Sequence, residues 1–186
     1  MSFTPSKMLS LGTIAPKFKL VDTITDKILD ADDLFNNKAT LVMFLCNHCP
    51  YVIHVNPELV RLVQNYKSKG VGFIGISSND ADKYAQDGPE MMKKHALKEG
   101  YDFPYLFDET QEVARSYDAA CTPDFFLFDE NKSLVYRGRL DDSRPGNDKP
   151  LTGKDLRAAI DALLSLQPIS SVQYPSGGCN IKWKDS

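Results

Sequence analysis

Two cysteines separated by two residues, Cys46 and Cys49, are the feature of the sequence best suited to chemistry. They lie where an apolar strand pattern ends and a helical pattern begins. At a helix start, unpaired N–H groups and the positive end of the helix dipole stabilise a thiolate, and a second cysteine one turn on is within disulfide reach. Because a thiolate is the nucleophile of disulfide exchange, the spacing predicts a redox couple. Cys46 is expected to hold the thiolate, and Cys49 to resolve the mixed disulfide.

The two residues between the cysteines are expected to tune the thiolate. An imidazolium at His48 stabilises a neighbouring thiolate, which favours the dithiol and makes the disulfide more oxidising. Asn47 supplies polar groups without a charge. We therefore expect both residues to influence the reduction potential of the couple.

Metal binding and an inert structural role are the alternatives for this motif. A zinc site usually needs a second C-x-x-C, which the sequence lacks. Cys46, Cys49 and His48 or Cys121 can still hold a soft metal. We predict no metal and no cofactor, and keep a soft-metal-binding protein as the third hypothesis.

The composition limits the partners and the location. The chain has 186 residues, a formal net charge of −3 and a pI near 5.6, which suits one domain that does not bind nucleic acid. The longest apolar run, residues 41–46, is far short of the roughly 18–20 residues that cross a bilayer. Residues 1–10 lack the apolar stretch of a secretory signal. We expect a cytoplasmic protein with no membrane partner.

The pattern around the cysteines predicts a βαβ unit. Residues 41–45 read as a strand buried on both faces. Leu59, Leu62, Val63 and Tyr66 then share one helix face, and residues 71–76 form a second buried strand. Parallel strands joined by a helix bring both strand ends, and the residues after them, to one edge of a sheet.

The second half of the chain predicts an antiparallel hairpin and more helices. The segments expected to form these elements are helices near 88–97 and 110–117, strands at 124–128 and 133–139 around a turn at 129–132, and a last helix from Thr152. This order predicts the α/β thioredoxin fold, a central mixed sheet flanked by helices, with an N-terminal extension and a C-terminal tail. We expect one domain over residues 1–186, in which residues 167–186 form a C-terminal tail rich in Pro, Ser and Gly.

Three stretches resemble thioredoxin-fold redox proteins of the redoxin superfamily. Residues 12–18 are similar to the G-x-x-A-P-x-F opening of peroxiredoxins and of membrane-anchored thioredoxin-like reductants. The C-x-x-C motif follows the first buried strand, and residues 121–129 resemble the cis-proline loop and the strand after it. The resemblance implies a cis peptide bond at Thr122–Pro123 that faces the cysteines. Backbone groups beside such a bond can pair with a substrate strand.

The closest resemblance is to a peroxiredoxin-like subgroup with C-x-x-C-P-Y and a C-terminal G-C-x-I-K-W, here residues 46–51 and 178–183. The peroxidatic pattern P-x-x-x-[TS]-x-x-C is not matched when Cys49 is aligned with its cysteine. Val42 then stands for the proline and Cys46 for the hydroxyl residue. We therefore rank a thiol-dependent, antioxidant peroxidase second, behind a thiol-disulfide oxidoreductase.

The sequence also departs from ordinary thioredoxin. Leu45 replaces the tryptophan before the first cysteine, and Thr40 stands where the buried carboxylate is expected. Asp124, directly after Pro123, is a candidate general base, although a solvated carboxylate at a strand edge is our preferred interpretation. We expect the 77–87 loop to be solvated and to hold no site.

Two further cysteines have open roles. Cys121 is expected to be either a third redox thiol or a small buried residue. Cys179 lies in a flexible-looking part of the tail and is expected to be a resolving cysteine, or to pair with Cys121 or with another chain. The slightly favoured interpretation is an idle thiol in a tail pinned by burial of Trp183. The expected partners are protein or small-molecule disulfides and thiols, together with an electron donor that the sequence does not identify.

Overall fold

The computed structural model describes residues 3–35 and 37–185. In these residues the strands are β1 (Phe3–Pro5), β2 (Lys19–Asp22), β3 (Lys27–Asp30), β4 (Ala39–Phe44), β5 (Val71–Ser77), β6 (Tyr105–Phe107), β7 (Cys121–Thr122), β8 (Asp124–Asp129), β9 (Leu134–Gly138) and β10 (Gly177–Asn180). The α-helices are α1 (Ala31–Leu34), α2 (Pro50–Tyr66), α3 (Pro89–Glu99), α4 (Glu112–Ser116) and α5 (Lys154–Leu164).

Strand β4 is the centre of the fold. All six of its residues are buried, because it pairs in parallel with β5 and antiparallel with β8 inside a seven-stranded sheet of order β3-β2-β6-β5-β4-β8-β9. Its side chains alternate between two apolar clusters, with Leu41 and Met43 in one and Val42 and Phe44 in the other. This mixed sheet, with helices packed on it, confirms the predicted thioredoxin fold.

Helix α2 packs the cysteine motif against the sheet. Its buried side chains include Leu59 and Leu62, which belong to the same apolar cluster as Leu41 and Met43 of β4. Pro50 occupies the first turn, where its missing N–H leaves no hydrogen bond unmade. A short 3₁₀ segment, Lys67–Lys69, follows the helix, and Gly70 turns the chain at a φ of 93°. The predicted strand–helix–strand unit is therefore present.

A second sheet of three antiparallel strands, β1-β10-β7, was not predicted. It joins the two ends of the chain to the loop before Pro123. Cys179 and Ile181 in this region are buried, so the last part of the 167–186 tail packs against the rest of the domain. Within the described residues, the longest helices are too short or too polar to cross a bilayer.

Candidate active site

The cysteine motif forms the connection between β4 and α2. Cys49 is the N-cap residue of α2, with φ −71° and ψ 122°, and residues 46–48 are not helical. The helix therefore begins after the second cysteine, not between the two. Both cysteines are buried, with exposures of 1% for Cys46 and 0% for Cys49.

The loop before Pro123 closes over both sulfurs. The Thr122–Pro123 peptide bond is cis, as the resemblance implies. The Thr122 hydroxyl lies 3.3 Å from Sγ of Cys46, and the Thr122 carbonyl oxygen lies 3.2 Å from Sγ of Cys49. One residue thus contacts both members of the pair.

The electrostatics favour the thiolate on Cys49, whereas the sequence analysis expected it on Cys46. A hydrogen bond from the Cys46 thiol, assisted by Cys179 and by the Val52 N–H, outweighs burial and lowers the pKa of Cys49 to about 5. The same hydrogen bond, burial and the charge of Asp87 hold the pKa of Cys46 well above its ordinary value. The Val52 N–H in the first turn of α2 adds to this effect, because it reaches the N-cap residue Cys49 and not Cys46 three positions earlier.

Asp87 is a site residue that the sequence analysis missed. It lies in the 77–87 loop, yet its side chain is fully buried, so the expectation of a solvated loop without a site is wrong. Its carboxylate accepts hydrogen bonds from the Asn47 N–H at 2.9 Å and from the Asn79 amide at 2.8 Å, and it lies 2.7 Å from Nδ1 of His48. The one signal in the sequence is that this loop follows β5, whose carboxyl end lies beside that of its parallel neighbour β4.

Asn47 and His48 contact the loop around the motif. The side chain of Asn47 donates to the Gln86 carbonyl at 2.7 Å and accepts from the Tyr105 hydroxyl at 3.0 Å. The ring of His48 stacks on Tyr84, with centroids 5.7 Å apart. These contacts fix the conformation of the connection between β4 and α2. Asp87, which lies beside His48, also acts on Cys46, because its charge raises the pKa of that thiol.

Cys121 and Asp124 are buried away from the pair. The sulfur of Cys121 is 3.8 Å from the Pro123 carbonyl oxygen, and burial raises the pKa of this thiol. Asp124 is only 1% exposed, so the preferred interpretation of a solvated carboxylate is wrong. Burial raises its pKa well above the ordinary carboxyl value. Asp124 pairs with Phe44 in register, and its neighbour along that face, Phe126, belongs to the cluster opposite the cysteines.

Cys179 completes the site from the other end of the chain. Strand β10 pairs antiparallel with β7, with Cys179 opposite Thr122. The sulfur atoms of Cys179 and Cys49 are 2.8 Å apart. We call Cys46, Cys49 and Cys179 the three-thiol cluster.

A metal ion has one group of candidate ligands here. Among the described residues, ligand atoms of Cys46, His48 and Asp87 lie within 4.8 Å of one another. This set differs from the expected one, because Cys49 is replaced by a carboxylate. Because cysteine binds a metal as the thiolate, an ion in this position would have to displace the proton of Cys46, whose pKa is raised.

A cleft of about 250 Å³ lies beside the cis-proline loop. Its lining includes Pro123, Tyr51, His54 and Gly177. It gives an open approach to the edge of the site, where β10 covers the sulfurs.

Comparisons with known proteins agree with this geometry. A family model described as Redoxin matches residues 10–156. A solved structure of an uncharacterized conserved protein from Geobacillus kaustophilus is 55% identical, covers 100% of this chain and 98% of its own, and superposes with a TM-score of 0.98. A hypothetical protein from Sinorhizobium meliloti 1021 is 42% identical, with 98% and 100% covered and a TM-score of 0.96. The thiol-disulfide oxidoreductase ResA of Bacillus thuringiensis subsp. konkukian is 26% identical over 133 residues, which is 72% of each chain.

Proposed function

The chain belongs to the Redoxin family, and from that premise we propose that it is a thiol-disulfide oxidoreductase acting through a Cys46–Cys49 couple. The observation that carries the proposal is the pair of buried cysteines at the start of α2, both contacted by Thr122 of the cis-proline loop, with the pKa of Cys49 lowered to about 5. A lowered pKa keeps a thiolate available at neutral pH. The name of the Bacillus thuringiensis relative supports the same reaction class.

In the proposed reaction one sulfur of the pair attacks a substrate disulfide. A mixed disulfide forms and one substrate thiolate leaves. The second cysteine then attacks the bonded sulfur, which releases the other substrate thiolate and forms the Cys46–Cys49 disulfide. Cys49 holds the thiolate at rest, so the first attack is assigned to Cys49 and the resolving step to Cys46. This reverses the order expected from the sequence.

Thr122 has two roles in the proposed reaction. Its hydroxyl can donate to a thiolate on Cys46, and its backbone lies beside the pair in the position where a substrate strand would bind. Protein or small-molecule disulfides in a reducing, cytoplasmic setting are the proposed partners, together with a thiol electron donor.

The test is reduction of insulin with dithiothreitol as the electron source. We expect the parent chain to accelerate the reaction, and Cys46→Ser and Cys49→Ser each to return it to the uncatalysed rate. Cys121→Ser is the matched control, because Cys121 is also a buried thiol near the cis-proline loop. It should retain the parent rate. A Cys46→Ser/Cys49→Ser double variant that kept the parent rate would overturn the proposal.

A peroxidase is the second candidate, and one observation favours it. The low-pKa thiolate belongs to the N-cap cysteine of the helix, which is the position that the peroxidatic pattern aligns. The Cys46 thiol donates to it where that pattern has a hydroxyl. In this reaction the thiolate attacks one peroxide oxygen and becomes a sulfenic acid, while the O–O bond breaks and the other oxygen leaves as hydroxide, which takes up a proton to form water. A second thiol then converts the sulfenic acid to a disulfide with loss of a second water. Consumption of hydrogen peroxide at a rate exceeding that of insulin turnover would favour this candidate.

A further inference from the structure

The backbone position expected for a substrate strand is taken by the chain's own C-terminus. Thr122, the residue before the cis peptide bond, pairs with Cys179 of β10. Ser176, just before that strand, donates to the Pro123 carbonyl at 2.5 Å. Strand β10 is thus held at the cis-proline loop in the manner of a bound peptide.

The sequence of β10 fits this close approach. A Cβ added at Gly178 would lie 2.0 Å from the carbonyl oxygen of Thr122, and one at Gly177 would lie 2.3 Å from the ring of Phe3. Two adjacent glycines therefore let the strand lie against both neighbouring strands. The next residue is the cysteine whose sulfur is 2.8 Å from that of Cys49.

Cys49 is the central sulfur of the three-thiol cluster. Its sulfur lies 2.8 Å from that of Cys179, and the Cys46 thiol is the main cause of its lowered pKa. In contrast, Cys121 is one residue from the same loop, yet its sulfur contacts a backbone carbonyl. The geometry thus distinguishes one tail cysteine as a partner of the couple.

We propose that Cys179 is the internal disulfide partner of Cys49, so that β10 serves as the chain's own substrate strand. This inference rests on the proposed function, because it assumes that Cys49 takes part in disulfide exchange. It adds Cys179 as a third redox residue. The oxidised protein can then hold either the Cys46–Cys49 or the Cys49–Cys179 disulfide.

The exchange between the two disulfides needs no external oxidant. The Cys179 thiolate attacks Sγ of Cys49 in the Cys46–Cys49 disulfide. The bond between Cys49 and Cys179 forms as the bond between Cys46 and Cys49 breaks, and the electron pair leaves on Cys46. Cys46 then takes up the proton that Cys179 released. One disulfide and one thiol are present before and after the step.

Oxidation of Cys49 removes two effects that raise the pKa of Cys179, and this favours the Cys179 thiolate that the step requires. In the reduced protein, burial and then the hydrogen bond and charge of Cys49 raise the pKa of Cys179 to about 12, against the opposing charge of Lys182. Once Cys49 is in a disulfide, its hydrogen bond and charge no longer act on Cys179. The Thr122 hydroxyl, 3.3 Å from Sγ of Cys46, remains to stabilise the leaving thiolate.

The pair formed by Cys49 and Cys179 also affects how a substrate reaches the site. The three sulfurs belong to residues with exposures of 1%, 0% and 3%, so an external disulfide reaches them only after a local movement, and β10 is the covering strand that carries Cys179. A movement of β10 that uncovers Cys49 uncovers Cys179 as well. Formation of the Cys49–Cys179 disulfide would hold β10 in place and close the site.

The test is disulfide mapping of oxidised Cys46→Ser by mass spectrometry after treatment with diamide. We expect a monomer in which Cys49 and Cys179 are joined, and a mixture of the Cys46–Cys49 and Cys49–Cys179 disulfides in the parent chain. Cys46→Ser/Cys121→Ser is the matched control and should give the same product. Two thiols left unoxidised in Cys46→Ser, or only intermolecular disulfides, would overturn the inference.

A second variant keeps every sulfur and moves only the strand. Gly178→Ala in the Cys46→Ser background should lower the yield of the Cys49–Cys179 disulfide by about tenfold, because the added methyl group lifts β10 away from Thr122 and disulfides tolerate little displacement. An unchanged yield in this variant, with an unchanged circular dichroism spectrum, would contradict the assigned position of β10.

The two proposals fail in different ways. If the parent chain forms the Cys46–Cys49 disulfide and reduces insulin while Cys179 always stays a thiol, only the inference about Cys179 is wrong. If the parent chain forms no disulfide and has no reductase activity, the proposed function itself is wrong.

Discussion

The carboxylate of Asp87 lies 2.7 Å from Nδ1 of His48, and none of its side chain is exposed. This contact links the cysteine motif to the loop after β5. Burial alone would raise the pKa of Asp87, but hydrogen bonds from His48, Asn79 and the Asn47 N–H outweigh burial and lower it. A buried charge held in this way is costly to disturb.

Asp87→Asn should therefore destabilise the fold and lower the pKa of Cys46. The variant loses charge-assisted hydrogen bonds, for which we expect a loss of about 2 kcal/mol in the free energy of unfolding. It also removes a negative charge that raises the pKa of Cys46. Urea unfolding measures the first effect, and ultraviolet titration of the thiolate measures the second.

The pH dependence of this loss has a defined sign. Because the pKa of folded Asp87 is lowered, its stabilisation is present above the ordinary carboxyl pKa of about 4 and is lost as pH falls through the folded value below that. The difference between Asp87→Asn and the parent should therefore shrink below about pH 4. Asp82→Asn, in the same loop but with a side chain that is 86% exposed, is the control. An effect of equal size in both variants would contradict the role of burial.

The Cys49 thiolate should titrate near pH 5. Ultraviolet absorbance of the reduced protein should show one thiolate forming near that pH, and Cys49→Ser should abolish it. Cys46→Ala should raise the midpoint by about 1–2 units, because it removes a hydrogen bond to a charged acceptor. Cys121→Ser should leave the titration unchanged. A low-pH thiolate that survives in Cys49→Ser and disappears in Cys46→Ser would restore the order expected from the sequence.

Gln111 should control how firmly the C-terminus is held. This residue is 1% exposed, its amide donates to the carbonyls of Ser78 and Lys182, and its side-chain oxygen accepts from the Lys184 N–H at 2.8 Å. Gln111→Ala leaves these groups unpaired, so we expect about 1–3 kcal/mol of lost stability. Amide hydrogen exchange over residues 177–184 should become faster, while exchange in β4 changes less.

The control for this prediction is Gln167→Ala, because the side chain of Gln167 is exposed and lies outside the three-stranded sheet. It should alter neither stability nor exchange at the C-terminus. Unchanged protection of β10 in Gln111→Ala would show that other contacts anchor the tail.

Activity should not depend on a metal ion. The nearest candidate ligands are Cys46, His48 and Asp87, and the Cys46 thiol keeps its proton while Asp87 is already hydrogen-bonded. We expect elemental analysis of the reduced protein to find far less than one equivalent of zinc or copper, and a chelator to leave insulin turnover unchanged. Stoichiometric metal whose removal raises turnover would favour the metal-binding alternative.

Local patterns were enough to predict the elements that carry the motif. Continuous apolar runs indicated β4 and β5, and one apolar face indicated α2. Burial of these elements leaves a local pattern of apolar residues that can be read directly from the sequence. The sequence also places Pro50 in the first helical turn. It does not show which of the two cysteines is the residue next to that turn in the fold, and the thiolate was therefore expected on Cys46.

The rest of the site depends on contacts between distant segments. Asp87 lies in a polar loop whose composition resembles any solvated loop, and it is buried because two connections meet at one edge of the sheet. Strand β10 has two glycines and no apolar alternation, so nothing local indicates a strand. Its conformation depends on the backbone of Thr122, which only the assembled fold supplies.

The most direct test of the central claim is a redox titration of the parent chain in dithiothreitol buffers, with thiols counted by a mass tag at each potential. The account predicts that two thiols are lost together in a single two-electron transition. It also predicts that Cys49 is always one of the two, with either Cys46 or Cys179 as the other. A protein that kept all four thiols at the most oxidising potential, or an oxidised form in which Cys49 stayed reduced, would contradict it.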